Sequence, residues 1–173
     1  MTKDSFSRRF EGAQIVPRLW RHEAQLSRWR YEGEYSFYNC RETVCPERPE
    51  EPVDANSFVW VNREGDVLGH VSYGPDGRIP TVEGYLYSEE ALDIGLGLRP
   101  DLCGQGMGAA FTALCMDFAR ERYGAVRFRL SVAAFNERAI KAYKKAGFSV
   151  ECEVTNQVFR NKFYIMTGPC AGA

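Results

Sequence analysis

Leu92-Asp-Ile-Gly-Leu-Gly-Leu-Arg-Pro-Asp-Leu-Cys-Gly-Gln-Gly-Met-Gly-Ala-Ala-Phe111 decides how this chain is read. The apolar run Leu92 to Leu98 predicts a strand, and Pro100 ends it. A loop carrying Gly104, Gly106 and Gly108 follows, and a helical pattern opens straight out of that loop. So dense a set of glycines is entropically expensive for a plain turn. A strand, a glycine loop and a helix start together present bare N–H groups and the positive end of a helix dipole to an anion. The stretch therefore predicts a diphosphate held by the main chain of residues 104–109. Gly95 and Gly97, costly inside a strand, predict a bulge or a close backbone approach.

Outward from this stretch, Ser57 to Asn62 and Val67 to Tyr73 alternate as the two strands of a hairpin around the turn Arg63-Glu-Gly-Asp66. Ile15 to Trp20 predicts a first strand and His22 to Arg30 a short helix. The prolines 46, 49 and 52 make 46–55 a loop, and 78–91 carries no clear pattern. Downstream, a helix over 106–122 puts Met107, Ala110, Phe111, Leu114 and Phe118 on one face. Ala125 to Val132 alternates as a strand. Asn136 is an N-cap residue for a helix over 137–146, and Gly147 is a C-terminal stop. Phe148 to Val154 and Lys162 to Thr167 predict two closing strands. The order implies an α+β (mixed α/β) domain around a mostly antiparallel sheet.

The 173 residues suit one domain over 1–173, with residues 1–12 loose. A net charge of -1 gives no electrostatic footprint for nucleic acid. No apolar run approaches the roughly 20 residues of a membrane span, and the N-terminal segment lacks the apolar centre of a signal peptide. The six cysteines, at 40, 45, 103, 115, 152 and 170, form no C-x-x-C pair, and His22 and His70 are the two histidines, so zinc spacing is missing and no metal is expected. Cys115 reads as a small core residue. Reduced thiols and a cytoplasmic location are the expectation.

Two other phosphate motifs compete for the loop. Gly104-Gln-Gly-Met-Gly-Ala109 fits G-x-G-x-x-A, but the following strand ends Leu130-Ser-Val-Ala-Ala134 with no carboxylate to hold a ribose, which counts against a nicotinamide or flavin dinucleotide. A P-loop needs Lys and a hydroxyl after its last glycine, and neither is present.

Two blocks together resemble the GCN5-related N-acetyltransferase (GNAT) superfamily. The loop Cys103-Gly-Gln-Gly-Met-Gly108 matches that family's glycine positions at Gly106 and Gly108, with Cys103 where a basic or amide residue is usual. Asn136-Glu-Arg-Ala-Ile-Lys-Ala-Tyr-Lys-Lys-Ala-Gly-Phe148 resembles its N-x-x-A-x-x-x-Y-x-x-x-G-F segment. The resemblance implies a GNAT-like acyl-CoA N-acyltransferase fold whose sheet splays between strands 4 and 5, with residues 91–148 as the cofactor-binding core. It implies acetyl-CoA as co-substrate and a primary amine of a small molecule or peptide as acceptor. Members often dimerise, so a homodimer is open to this chain.

Carried onto this sequence, the resemblance has Leu96 and Leu98 pair with the pantetheine arm. It has Cys103, Gly104, Gln105, Gly106, Met107, Gly108 and Ala109 surround the diphosphate. Asn136 caps its helix and reaches the arm, and Arg138 meets either a phosphate or solvent. Tyr143, about two helical turns after Asn136, is either the general acid for the departing thiolate or a packing aromatic. Asp93 and Glu83 are candidate bases, with a solvated carboxylate as the ordinary alternative. Trp29, Tyr31, Tyr35 and Tyr38, with Phe37 among them, form either an acceptor pocket or part of the core. A non-catalytic CoA-binding module is the competing function.

Overall fold

The structure, a computed structural model, describes residues 10–39, 48–124 and 127–169. Cys40, Cys45, Cys170 and the expected start of the fifth strand at Ala125 lie outside them. So do residues 1–9, most of the segment expected to be loose. The elements run β1 (Gln14–Pro17), α1 (Trp20–Leu26), β2 (Ser57–Val61), β3 (Val67–Tyr73), β4 (Leu92–Leu98), α2 (Gly108–Tyr123), β5 (Phe128–Ala133), α3 (Glu137–Lys145), β6 (Ser149–Thr155) and β7 (Lys162–Thr167). They form one mixed α/β sheet in the order β1-β2-β3-β4-β5-β7-β6. Every neighbouring pair is antiparallel except β4 and β5. Parallel neighbours need a crossover, and α2 supplies it.

The β4–β5 ladder consists of two pairs, Leu92↔Phe128 and Asp93↔Arg129. On its other side β4 runs in unbroken register with β3, from Gly69↔Leu98 to Tyr73↔Ile94. The expected bulge at Gly95 and Gly97 is therefore not formed. The glycines serve close approach instead. A Cβ on Gly97 would lie 2.6 Å from Nε2 of His70, and one on Gly95 3.3 Å from Cα of Gly77.

Alternation assigns the two faces. Phe58 and Trp60 of β2 join Val71 and Tyr73 of β3 in a core under α2, with Phe111, Cys115, Met116 and Ala119. The interposed Val59 and Val61 pack on the opposite face against Leu26 and Trp29. The buried stripe of α2 is Phe111, Thr112, Cys115, Met116 and Ala119, shifted from the predicted face. Leu114 and Phe118 lie at its margin. Cys115 is fully buried, as expected, and the phenol of Tyr73 donates to its carbonyl at 2.8 Å. Each large side chain buried here contributes about 1.5–3 kcal/mol.

The caps set where α3 can point. Asn136 Oδ1 accepts the N–H of Ala139 at 3.1 Å. Gly147, at φ 93°, ends the helix, and the N–H of Phe148 returns to the carbonyl of Tyr143. Among the described residues no helix is long and apolar enough to cross a membrane.

Candidate active site

A cavity of about 500 Å³ is lined by Leu96, Gly97 and Leu98, the stretch of β4 beyond its two-pair ladder with β5. Both faces of the sheet line it. On the α2 face stand Leu96, Leu98, Met107 and Phe111; on the α1 face stand Leu26, Trp29, His70 and Gly97. His70 is assigned to the α1 face by its pairings with Val59 and Gly97.

One end of the cavity is the glycine loop. Gly104 and Gly106 adopt φ of 75° and 74°, a left-handed conformation that side-chain-bearing residues reach only at a cost. Space above Gly104 is open. The loop turns into α2, whose first N–H groups have no partner within the helix. Gly108 has a packing role, since a Cβ there would sit 2.8 Å from Cβ of Ala142 on α3. Met107 lines the cavity but buries its side chain in the core.

Gln105 turns its amide back to the carbonyl of Asp101 and is not part of the cavity wall. The half-buried Cys103 thiol faces the carbonyls of Leu98 and Arg99 at 3.7 and 3.6 Å. Burial raises its pKa above the ordinary thiol value, so it stays a neutral thiol rather than an anion-binding group. Ala109 completes this wall, with Arg138, Lys141 and Lys145 from α3.

Tyr143 lines the cavity and is 8 % exposed. Burial first, then the neighbouring Tyr38, pushes its phenol well above the usual value of 10. It therefore keeps its proton at neutral and moderately alkaline pH. Asn136 is engaged at both ends of its amide, by the cap to Ala139 and by donation to the phenol of Tyr38 at 3.1 Å. Arg138 stacks over the ring of Tyr35 with its guanidinium carbon 3.5 Å from the centroid.

Another part of the cavity lining is aromatic. Trp29, Tyr31, Tyr35 and Tyr38 all line it, whereas Phe37 packs against Phe135 and Phe159 away from the cavity. Tyr31 donates its hydroxyl to the carbonyl of Leu98 at 2.7 Å, which fixes the aromatic segment on β4.

Neither candidate carboxylate is in this cavity. Asp93 is 1 % exposed. Its oxygens receive Nε and Nη2 of Arg129 at 2.6 and 2.8 Å and Nε of Arg78 at 2.7 Å. Its lone pairs are taken by two guanidinium groups, so the expectation of a base at Asp93 is replaced by that of an ion-pair centre. Glu83 is fully exposed and accepts the N–H of Thr155 at 2.8 Å, a bond that lowers its pKa. It belongs to the β6 edge of the sheet and is corrected in the same way. Among the described residues no carboxylate lines the cavity, and no cluster of His, Cys, Asp or Glu is arranged to hold a metal.

Arg18 and His70 are among the lining residues that carried no predicted role. Arg18 pairs with Glu23 through Nη2 at 2.8 Å. His70 stands 5.9 Å from Trp29 between ring centroids. Its Nδ1 is enclosed without a hydrogen-bond partner. Burial, and then the charge of Arg18, lowers its pKa to about 4. Its signal in the sequence is one histidine at an alternating strand position, which says nothing until the register is known.

The same fold occurs in solved acetyltransferases. AAC(6')-Ib in complex with paromomycin and acetyl-CoA aligns over 92% of this chain and 94% of its own, with TM-score 0.66 and 14% identity. The ribosomal-protein-S5-alanine acetyltransferase of Vibrio fischeri aligns over 94% and 96%, with TM-score 0.60 and 15% identity. In sequence, the chain is 34% identical over 110 residues to the mycothiol acetyltransferase of Cellulomonas flavigena, covering 59% of this chain and 29% of that protein. It is 35% identical over 101 residues to the streptothricin acetyltransferase of Streptomyces lavendulae, covering 57% and 47%. The matched part thus spans less than half the length of either relative. Residues 18–148 match the model of the acetyltransferase (GNAT) family, and they include the glycine loop, the capped helix and most of the cavity wall. On that match the chain belongs to the acetyltransferase (GNAT) family.

Proposed function

We propose that this chain is an acetyl-CoA-dependent N-acetyltransferase acting on a primary amine by direct attack. The observation that carries the reading is one continuous cavity. Its lining includes the glycine loop before α2, the stretch of β4 beyond its two-pair ladder with β5, and the aromatic residues Trp29, Tyr31, Tyr35 and Tyr38. The residues fit the co-substrate's chemistry. Left-handed glycines and a helix start suit a diphosphate, the cations of α3 suit further phosphate charge, and Leu96 and Leu98 suit an extended apolar arm. The acetyl thioester supplies the activated acyl group. Tyr143 retains its proton and donates it where a thiolate would leave. The β4 edge offers main-chain N–H groups to a carbonyl oxygen.

The charge of the cavity narrows the acceptor. With Arg138, Lys141 and Lys145 in the wall, Arg18 already paired with Glu23, and no carboxylate among the described lining residues, the lining offers a polycation no counter-charge. The reading is of a single amine carried on a neutral or anionic small molecule or peptide, in a cytoplasmic enzyme.

Thermal-shift assays with acetyl-CoA, CoA and NADPH, followed by thiol release across an amine panel, test this. Stabilisation by both coenzyme A forms is expected, with turnover of n-butylamine exceeding that of spermidine. Tyr143→Phe should lose about 10²-fold in kcat with the acetyl-CoA KM unchanged. Stabilisation by NADPH alone would overturn the reading. Coenzyme binding with no turnover of any amine would leave a binding module.

A further inference from the structure

Resting on that reading, we propose that His70 is the residue that receives the acceptor: its Nε2 accepts a hydrogen bond from the attacking amine and then takes that amine's proton. Its placement is a consequence of strand register. Antiparallel partners directly opposite each other project side chains to the same face. His70 is opposite Gly97, and both line the cavity on the α1 face. Any side chain at position 97 would meet Nε2 at 2.6 Å from its Cβ. Glycine at 97 therefore makes room for the imidazole to lie over β4, and of its two nitrogens only Nδ1 is both enclosed and unpartnered, which leaves Nε2 on the cavity side.

The other nitrogen supplies the second line of argument. Nδ1 is enclosed and has no partner. Leaving a buried polar atom unsatisfied costs about 1–3 kcal/mol, and such atoms in a folded protein call for an explanation. With the proton on Nδ1, the Nε2 lone pair points into the cavity. A partner on Nδ1 would also raise the basicity of the ring, so its lack keeps the ring neutral.

The other described lining groups are poorer proton acceptors: Tyr35 is a phenol, Cys103 stays a neutral thiol, and Thr112 donates its hydroxyl to the carbonyl of Gly108. Arg18, Arg138, Lys141 and Lys145 are cations. The phenol of Tyr31 is donated to Leu98, and that of Tyr38 is bonded by Asn136. Around the imidazole stand Arg18 from the β1–α1 link, Trp29 beyond α1, Val59 of β2 and Gly97 of β4. His22 and Glu23 of α1 are engaged elsewhere, with the N–H of Leu19 and with Arg18.

A weak base is sufficient at this position. The nitrogen must arrive as free amine, because an ammonium has no lone pair to attack with, and the charge of Arg18 disfavours it. As the N–C bond forms, that nitrogen surrenders its lone pair and its N–H becomes strongly acidic. The proton passes to Nε2 of His70 while the C–S bond breaks with its electron pair on sulfur. Tyr143 supplies the sulfur's proton, and solvent later restores both side chains. An amine and a thioester leave as an amide and a thiol.

The test uses the full chain, n-butylamine as the probe amine and three readouts. At saturating acetyl-CoA, His70→Gln and His70→Ala should each lose at least about 10²-fold in kcat. Their acetyl-CoA KM and stabilisation by CoA should stay within twofold of the parent. Added imidazole should restore part of the His70→Ala rate, which a purely structural role would not allow. In CoA-saturated protein, the nitrogen resonances of His70 should report the Nδ1–H tautomer, with Nε2 alone responding to n-butylamine. A His70→Gln variant with kcat within twofold of the parent, or a ring protonated on Nε2, overturns the assignment and leaves the acetyltransferase reading standing. A parent protein without turnover of any amine overturns both.

Discussion

Tyr31 reaches across the cavity and places its phenolic proton on the main-chain carbonyl of Leu98, 2.7 Å away. This bond ties the aromatic segment that follows α1 to β4, the strand with the short ladder to β5. Tyr31→Phe keeps the ring and deletes the bond. Its expected cost is about 1 kcal/mol, seen as a melting temperature roughly 2–4 °C lower. The KM for the amine should rise while that for acetyl-CoA holds. An unchanged melting temperature with an altered acetyl-CoA KM would show that the hydroxyl serves the coenzyme instead.

Asp93 is the stability centre of the β4–β5 junction. Its side chain is 2 % exposed and the side chain of its partner Arg129 is 3 % exposed. Removing one charge strands the other, so Asp93→Asn should destabilise the fold by about 3–5 kcal/mol, read by urea unfolding. The residual folded fraction should keep most of its kcat. A variant of parental stability with a hundredfold loss in kcat would return Asp93 to the chemistry.

Gly106→Ala forces a side chain into a left-handed backbone, at a cost of about 1–2 kcal/mol. The loop can relieve the strain by re-aiming its N–H groups. CoA affinity, measured by calorimetry, should therefore fall by more than about tenfold, with kcat at saturation little changed. Equal affinity in the two proteins would remove the loop from the coenzyme site.

His70 makes stability depend on pH. Its pKa is lowered to about 4 from a usual 6.5, so the unfolded chain takes up a proton that the folded one refuses. Stability contributed by the neutral ring is complete above pH 6.5 and is lost as the pH falls toward 4. The full loss is about 3 kcal/mol, at 1.36 kcal/mol per pKa unit. His22 is shifted in the same direction, so the quantity to measure is the difference between the parent and His70→Gln. The variant should show the flatter curve between pH 6.5 and 4. Parallel curves would mean that the ring titrates as it does in water.

What could be read in the sequence was what is encoded locally. Gly104 and Gly106 take the left-handed backbone that their density announces. Asn136 caps and Gly147 stops α3 from positions that only those residue types favour. Strand β4 and the hairpin of β2 and β3 follow from alternation and turn chemistry. Long-range pairing stayed hidden. Asp93 finds Arg129 only because β4 and β5 lie side by side, and Glu83 finds Thr155 only because its loop folds over the edge of the sheet. The importance of His70 depends on a glycine 27 positions later, brought opposite by register. The face of α2 was misjudged because α2 packs on α3 as well as on the sheet, which widens its buried stripe.

The contact of Gly108 with Ala142 has a mechanical consequence. Where the two residues meet there is no room for even one methyl group, so the start of α2 is braced directly on the turn of α3 that carries Tyr143. The two helices behave as a yoke. On the proposed function, a carrier gripped at the amides would be held in alignment with the phenol, so grip on its head would become aim at its tail. A bulkier pair at this crossing would let each helix answer to its own neighbours, giving a protein that still captures its carrier but delivers the cargo slowly.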